Sequence, residues 1–558
     1  MVKYKLICLY CLAILFSSKG MAAEWQWSVP LPDIVSDETD GHPQAFLWIP
    51  GDCQRVKAVV VGMHNMTEET LFEMPRFRKA LSTMGIGLIW ITPGWNQPWD
   101  VTTGSQQAFD RMMNDLADVS GYSELKQIPV VPFGHSAMAT FPWNFAAWNP
   151  ERTLAVISFH GDAPRTNLTG YGRENLEWGR TRNIDGIPGL MVEGEYEWWE
   201  ARVNPALAFR MMYPGSCLSF LCDVGRGHFD IADRTADYIA LFLKKALKYR
   251  LPEDAPSGND ELSPAEPVVL KNIRPQDGWL AERWRGGDTS LGETREASSV
   301  KHPKRASPAA YSSYRGDPHD AFWYLDREMA ELTETIYRQQ LGREPQYVGI
   351  VQDGQLLPYH PQSHVRVTAR FQPEADGLTF HLKVAYTNKE HTSLTSEHAT
   401  VKPQITSING PVRKLNDTTF TVRFYRMGMY NPLRTGEITL LASSDGDTHY
   451  KSAVQELTLR VPYRNTEGKR QCILFPGLPD ITVGTDSLPL RAVSDCGLPV
   501  YYYVKEGPAE IQDGHLRFTP IPPRSKFPVK VTVVAWQYGM QGKVQTAEPV
   551  ERSFYINR

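Results

Sequence analysis

The sequence predicts a doubly wound, mostly parallel α/β sheet followed by two all-β sandwich modules. Between Phe46 and Leu251, apolar strand-like segments alternate with helix-like segments, the pattern of a parallel sheet with helices on both faces. From about Gln346 onward, short alternating strands follow one another with turns between them, as in sandwiches. A chain of 558 residues is long enough for three or four such cores.

The individual elements follow from hydrophobic periodicity. The run Val56–Met63 is nearly continuous and rich in valine, as a strand buried on both faces requires. Further strands of the first sheet are predicted at 87–91, 128–133, 154–159, 189–192 and 217–224. Helices are predicted at 68–84, 106–119 and 231–247, the last with one apolar stripe at helical spacing.

Composition changes past Leu251 and defines the remaining domains. Residues 252–308 are rich in Pro, Gly, Ser and charge and predict an extended linker, and 320–339 predicts an amphipathic helix. Two β modules then divide near Asn465. Through Gly497-Leu498-Pro499-Val500 and Gly507-Pro508-Ala509, the second module resembles small immunoglobulin-like modules. The predicted domains, in chain order, are a signal peptide 1–23, an α/β domain 24–251, a linker plus helix 252–345, a β-sandwich 346–465 and the immunoglobulin-like module 466–558.

The first 23 residues have the features of a secretory signal peptide. Lys3 and Lys5 precede a short apolar stretch, and small residues near Ala22 offer a cleavage site. No later segment is long and apolar enough to span a membrane, so we expect an exported protein, periplasmic or secreted. A net charge of −4 argues against a nucleic-acid partner.

Cysteine usage is consistent with export. Five cysteines follow the signal peptide, and Cys472 with Cys496 is the expected disulfide within one module. None of the five shows metal-site spacing, and we predict neither a metal nor an organic cofactor. The sequence leaves the oligomeric state open.

The triplet Gly134-His135-Ser136 ends an apolar strand and directly precedes a helix-compatible stretch. This strand–turn–helix context exposes a serine hydroxyl as a nucleophile, although Met138 breaks the full Gly-x-Ser-x-Gly pattern. The alternative is a turn serine that caps a helix. Two further pieces lie downstream in the order that a catalytic serine needs: an acidic cluster after a strand, then Gly227-His228.

In this order of elements, residues 24–251 resemble the α/β-hydrolases. That family carries its serine after the fifth strand, its acid after the seventh and its histidine after the eighth. The resemblance implies Ser136 as nucleophile and His228 as base. The turn Gly194-Glu195-Tyr196-Glu197 matches the family's Gly-x-x-acid and implies Glu197 as the acid, with Glu195 as runner-up.

An oxyanion hole needs two backbone N–H groups. One is expected from Ala137, directly after the nucleophile. The other is expected from the turn after the Val56–Met63 strand, where His64-Asn65-Met66 replaces the family's usual His-Gly. Met66 or Asn65 is the predicted donor.

Substrate contacts are predicted from loop residues. Several tryptophans lie beyond strand ends and offer flat faces for sugar rings, although core packing also explains such residues; they are Trp95, Trp99, Trp178, Trp198 and Trp199. The segment Asp162–Gly186 occupies the usual place of a cap and carries arginines suited to an acidic sugar, with an ordinary solvated loop as the alternative. These are Arg165, Arg173, Arg180 and Arg182.

The sequence therefore predicts an exported serine esterase acting on an oligosaccharide or polysaccharide. The layout resembles exported pectin-trimming esterases of Bacteroidetes, among them methylesterases acting on rhamnogalacturonan-II. That resemblance implies hydrolysis of the methyl ester of a uronic acid. Two alternatives stay open: sugar O-deacetylation by the same triad, and glycan capture by a non-catalytic hydrolase scaffold.

Overall fold

The computed structural model describes most of the chain. The described residues are 25–36, 39–95, 99–165, 176–197, 200–253, 267–284, 305–339, 341–361, 366–426, 429 and 436–558. The predicted signal peptide, Arg173, Trp198 and Trp199 lie outside them. Within the described residues, no helix combines the length and apolarity needed to cross a membrane.

An eight-stranded, mostly parallel sheet forms the first part of the chain. Its strands lie in the order β1-β2-β4-β3-β5-β6-β7-β8, and every pairing between them is parallel except β1–β2 and β2–β4. The strands are β1 Trp27–Pro30, β2 Gln44–Trp48, β3 Ala58–Met63, β4 Ile86–Thr92, β5 Val130–His135, β6 Val156–Phe159, β7 Pro188–Gly194 and β8 Cys217–Asp223. Strands β3 to β8 are buried along their whole length, as their continuous apolar runs predict.

Helices cover this sheet. They are α1 Glu68–Glu73, α2 Pro75–Met84, α3 Ser105–Ser120, α4 Phe141–Trp148, α5 Glu200–Met212 and α6 Asp233–Arg250. The single helix predicted for 68–84 is two helices, because Met74 is extended and Pro75 begins the second one. Proline fits the first turn of a helix but not its interior.

The segment after α6 is part of the first core rather than an extended linker. Strands β9 Trp279–Glu282, β10 Ala309–Ala310 and β11 Ala321–Tyr324 form a small sheet, and α7 spans Arg327–Arg338. Phe322 stacks on Phe220 of β8, and Leu280, Trp284 and Tyr337 are buried in the same hydrophobic cluster as the sheet. The linker prediction was wrong for the described residues because Trp279 and Trp284, although set in a Pro- and Gly-rich context, bury against this core.

The remaining strands form small, mostly antiparallel sheets in two β modules. The first module contains β12 Tyr347–Gln352, β13 Gln355–Leu356, β14 Thr379–His381, β15 Lys383–Thr387, β16 Gln404–Asn409, β17 Val412–Lys414, β18 Thr419–Val422, β19 Glu437–Ser444 and β20 Ala453–Arg460. The second contains β21 Ile473–Leu474, β22 Ile481–Thr482, β23 Ser487–Pro489, β24 Val493–Ser494, β25 Tyr501–Glu506, β26 Ala509–Gln512, β27 His515–Phe518, β28 Val529–Trp536 and β29 Val550–Asn557. The fold class is thus the predicted one: an α/β-hydrolase-like sheet followed by β-sandwich modules.

The second module returns to the amino-terminal end of the chain. Trp25 bridges to Gly507, and Arg524 contacts Glu124 at 3.1 Å. The predicted disulfide in this module is absent, since Cys472 and Cys496 are free thiols. Ile473 pairs with Ser494 in the β21–β24 ladder, so Cys472 lies beside Asp495 and Cys496 follows one residue beyond.

Candidate active site

Ser136 lies at the carboxyl end of β5, at a sharp turn into a short 3₁₀ helix (Ser136–Thr140) and then α4. Its φ of 53° is a left-handed conformation that non-glycine residues rarely adopt. Gly134 permits this turn, because a Cβ there would lie 2.0 Å from the Met138 carbonyl oxygen. The serine hydroxyl is thereby held at the sheet edge in a nucleophile elbow.

His228 lies in the loop after β8 and contacts the serine. Its Nε2 is 2.9 Å from Ser136 Oγ, and its Nδ1 is hydrogen-bonded to Glu197 Oε2. The loops after β5, β7 and β8 therefore bring together the three side chains that the sequence predicted. Parallel strands end at one edge of the sheet, which is why residues so distant in sequence meet there.

Glu197 has more partners than a triad requires. Its Oε1 accepts from His160 Nδ1 and, at 3.0 Å, from the Gly194 N–H, while Arg202 lies 3.5 Å from Oε2. His160 follows β6 with a φ of 52° and is fully buried. This second histidine was missed from the sequence. A search for polar residues directly after each parallel strand could have found it.

The protonation states suit general-base chemistry. Burial by itself raises the pKa of Glu197, but His228 and His160 outweigh that effect and hold the pKa well below its usual range. Burial lowers the pKa of His228 to about 4, against the opposing effect of Glu197. At neutral pH the pair is therefore a carboxylate and a neutral imidazole, the state in which Nε2 can accept the serine proton.

Glu195, the runner-up acid, faces a different partner. Its carboxylate pairs with Lys451 Nζ at 3.2 Å, both side chains being fully buried, and accepts the Gly225 N–H at 2.7 Å. Lys451 belongs to the loop between β19 and β20 of the first β module. Glu197 therefore lies beside His228. Glu195 instead connects the loop after β7, which carries Glu197, to the loop after β8, which carries His228, and to the first β module.

A small apolar cluster reinforces this junction. Met66, Tyr196 and Phe229 each come from a different loop around Ser136, and they pack against Ile408, Leu441 and Val454 of the first β module. The Ser452 hydroxyl donates to the Gly225 carbonyl at 2.8 Å, and the Tyr196 hydroxyl donates to the Ser452 carbonyl. The β module thus supports the loops that carry the site, a role that no local sequence signal indicated.

The predicted oxyanion donors divide into two cases. Ala137 lies in the first turn of the 3₁₀ helix, where N–H groups lack partners within the helix and can bind an oxyanion. The N–H groups of Asn65 and Met66 instead donate to Glu68 Oε2, at 3.1 and 2.9 Å. The prediction that either one aims into the hole was therefore wrong in this structure.

Glu68 is the reason for that difference. It is fully buried, and its Oε1 accepts the His135 N–H at 3.0 Å, so one carboxylate ties the turn after β3 to the nucleophile strand. Burial raises the pKa of this carboxyl to about 7. Its position at the start of α1, directly after the turn, was the sequence signal that could have identified it.

Two of the predicted sugar-stacking tryptophans are core residues. Trp99 is fully buried among Phe109, Phe141 and Phe145, and Trp178 is fully buried with its Nε1 donating to Asn144. Neither ring has a free face. Trp95 is half-buried beside Trp99, in the loop that follows β4, and can still contact a ligand.

The predicted cap arginines are mostly directed elsewhere. Arg165 donates to the Tyr213 hydroxyl and lies 3.7 Å from Glu177. Arg182 lies 4.6 Å from the ring centroid of Trp148, the last residue of α4, and is exposed like Arg180. Because α4 runs away from the nucleophile, Arg182 lies near the opposite sheet edge, and the prediction that it covers the active site was wrong.

A cluster of three side chains in the site offers ligand atoms of the kind that bind metal ions. His160, Glu197 and His228 bring potential ligand atoms within 4.8 Å of one another. The two imidazoles already use Nδ1 to hydrogen-bond the carboxylate, so a bound cation would have to replace those hydrogen bonds. The donor set is that of zinc sites, but its present arrangement serves the carboxylate.

No protein-family model and no curated protein sequence matches the chain. Solved structures similar to it include an esterase from Pyrobaculum calidifontis (13% identity, 41% of this chain and 87% of that one, TM-score 0.30). They also include an S-formylglutathione hydrolase from Staphylococcus aureus (10%, 40% and 98%, 0.29) and Est1E from Butyrivibrio proteoclasticus (13%, 40% and 99%, 0.28).

Proposed function

We propose that the chain is a serine carboxylic-ester hydrolase that uses Ser136, His228 and Glu197. The observation that carries this proposal is the contact of 2.9 Å between Ser136 Oγ and His228 Nε2, with the other imidazole nitrogen bound to Glu197. A strained serine turn adds to it, since such strain is found where a hydroxyl must be exposed for attack. A non-catalytic glycan-binding scaffold has no need of this geometry.

The reaction follows from these contacts. His228 takes the Ser136 proton as the oxygen attacks the ester carbonyl, and Glu197 stabilises the imidazolium that forms. The Ala137 N–H stabilises the oxyanion. The imidazolium then protonates the departing alcohol, and His228 activates water to release the acid from the acyl-enzyme.

For the substrate we propose the methyl ester of a uronic acid in a pectic polysaccharide, in an exported setting. The layout of a hydrolase followed by β modules and the signal-peptide-like leader support this choice. Trp95, half-buried in the loop after β4, offers a ring face for a sugar. Sugar O-deacetylation is the second candidate. The position of Arg182 beside the last residue of α4, away from the nucleophile edge, favours it, since deacetylation needs no carboxylate recognition.

The experiment compares methanol and acetate released from methylated and acetylated pectic oligosaccharides. We expect methanol, and we expect Ser136→Ala to lower turnover about a million-fold, as loss of a nucleophile typically does. Acetate alone would replace the first substrate with the second. Release of neither from the whole panel, or equal release by Ser136→Ala, would end the esterase proposal.

A further inference from the structure

Both oxygens of the Glu197 carboxylate are held by imidazoles. His228 donates from Nδ1 to Oε2, as a triad requires, and His160 donates from Nδ1 to Oε1. The Gly194 N–H adds a hydrogen bond of 3.0 Å to the same Oε1. The terminal torsion of a glutamate side chain has no strong preference of its own, so these contacts decide which way each oxygen points.

The backbone around His160 places its ring against that carboxylate. Its N–H donates to the Val192 carbonyl at 2.8 Å and extends the parallel pairing of β6 with β7 by one residue. Its φ of 52° then turns the chain sharply. Its carbonyl accepts from Arg202 Nη1 at 3.2 Å, and the same nitrogen lies 3.5 Å from Glu197 Oε2. The residue is therefore fixed by the end of β6 on one side and by α5 on the other.

Glu197 is the one hydrogen-bond partner of the His160 side chain among the described residues. The ring is fully buried, and its Nε2 has no hydrogen-bond partner there. Because an ionised carboxylate only accepts, the contact assigns the ring proton to Nδ1. Burying an unpaired polar nitrogen is unfavourable, and an apolar side chain would fill the space without that cost. The hydrogen bond to Glu197 therefore accounts for a histidine at this position better than packing does.

We propose that His160 is a positioning residue of the triad, which holds Oε1 of Glu197 so that Oε2 stays on Nδ1 of His228. The proposal rests on the proposed function for the role of Glu197. Without the bond from His160 the carboxylate can rotate, and His228 then loses the contact that keeps its proton on Nδ1 and its lone pair toward Ser136. The two imidazole centroids are 5.8 Å apart, with the carboxylate bridging them.

Two amide side chains separate this role from packing. Asparagine has its amide nitrogen at the position of imidazole Nδ1 and tolerates a left-handed φ, whereas glutamine has it near the position of Nε2, which has no partner. We expect His160→Asn to react within a few-fold of the parent. We expect His160→Gln to react about tenfold to a hundredfold more slowly, from loss of one charge-assisted hydrogen bond. A packing role predicts the opposite order, because glutamine is closer to histidine in size.

The rate of fluorophosphonate labelling measures activation of Ser136 without knowledge of the natural ester. The serine oxygen bonds to phosphorus, fluoride leaves, and the serine proton passes to His228. We expect the maximal labelling rate to change and the half-saturating reagent concentration to stay the same, since the bond from His160 orients the base and does not bind the reagent. Thermal unfolding of each variant is measured in parallel.

His391→Gln is the matched control. His391 is also buried with a φ of 53°, but it lies in the first β module beside Thr387. We expect this substitution to lower Tm and to leave the labelling rate unchanged.

Three results would overturn the proposal: equal labelling rates of the parent and His160→Gln, slower labelling of His160→Asn than of His160→Gln, and a loss confined to the half-saturating concentration. If His160→Gln does not fold, nitrogen NMR of the histidine-labelled parent decides, with His160→Asn used to assign the signal. We expect the proton on Nδ1, and a proton on Nε2 alone would contradict the hydrogen bond to Glu197. An unlabelled Ser136 in the parent would end the proposed function and this inference together, whereas a labelled parent with unaltered variants would end this inference alone.

Discussion

At the sheet edge that carries Ser136, the three residues that the sequence predicted lie together, whereas its predictions for the segment expected to cap that edge were mostly wrong. At the edge, each predicted residue follows a buried strand, and the fold brings Ser136, Glu197 and His228 within hydrogen-bonding reach. In the segment 162–186, residue types were the only guide, and Trp178 proved to be core while Arg182 lies at the opposite edge. Position relative to a strand end is the stronger signal, because strand order fixes where the chain emerges.

The largest expected effect comes from substituting the two glutamates of the acid loop, Glu197 and Glu195. Glu197→Gln should lower kcat about ten-thousandfold with a small change in stability, because the imidazole loses the carboxylate that orients it. Glu195→Gln should mainly lower stability, because it leaves Lys451 buried without its partner charge. Kinetics and thermal unfolding on both variants measure the two effects. The reverse ranking in kcat would move the acid to Glu195.

The second prediction tests whether the first β module stabilises the loops that carry the active site. Lys451→Met should destabilise the protein by about 3–5 kcal/mol, because Glu195 is left as an uncompensated buried charge. It should also lower kcat, since Glu195 holds the loop that carries Glu197. The double variant Lys451→Met, Glu195→Gln should recover much of the stability.

Lys402→Met is the control for that experiment. Lys402 pairs with Asp417 on the surface of the same module, and exposed pairs contribute little. We therefore expect its Tm to stay close to that of the parent. Equal effects of Lys402→Met and Lys451→Met would contradict the role given to the buried pair.

Burial of the edge residues also sets a pH dependence. Because burial lowers the pKa of His228 to about 4, the neutral base persists well below the ordinary imidazole value of 6.5. We expect kcat/KM to stay level as pH falls to about 5 and to decline through about 4, as protonation removes the base. An acid limb near pH 6.5 would show that His228 titrates as a solvated imidazole.

The smallest effect is expected from substitution in the segment predicted to cap the active site. Arg182→Gln should change KM for an acidic substrate by less than about twofold, since its side chain is exposed and lies beside the last residue of α4, away from the nucleophile edge. A selective rise in KM on acidic substrates would return this arginine to the active site.

The fold and the site were predictable to different extents. Periodicity placed β3 to β8 within a few residues of their observed ends, since strands buried on both faces are continuous apolar runs. Two features were not predicted. The helix break at Pro75 depends on local proline geometry, and the strand β11 before α7 depends on packing against β8. The linker prediction was wrong because the segment after α6 is rich in polar residues overall, although a few of its tryptophans are buried against the first core.

Within the site, contacts between distant segments account for what the sequence could not provide. Glu68 binds the N–H groups expected to form the oxyanion hole; its place after the turn is visible in the sequence, but its contact with those N–H groups depends on how the turn folds. Lys451 lies more than 250 residues from its partner Glu195, in a module whose sequence carries no catalytic pattern. His160 was the exception, because its place after β6 follows the same logic that identified Ser136 and His228.

The central claim is that Ser136 is an activated nucleophile, and covalent labelling tests it most directly. A fluorophosphonate reacts by attack of the serine oxygen on phosphorus with loss of fluoride, so intact-protein mass spectrometry counts the adducts and peptide mapping locates them. We expect one adduct on the native protein, on Ser136, none on Ser136→Ala, and greatly slowed labelling of His228→Ala. Labelling of a different residue, or equal labelling of the native protein and Ser136→Ala, would contradict the account.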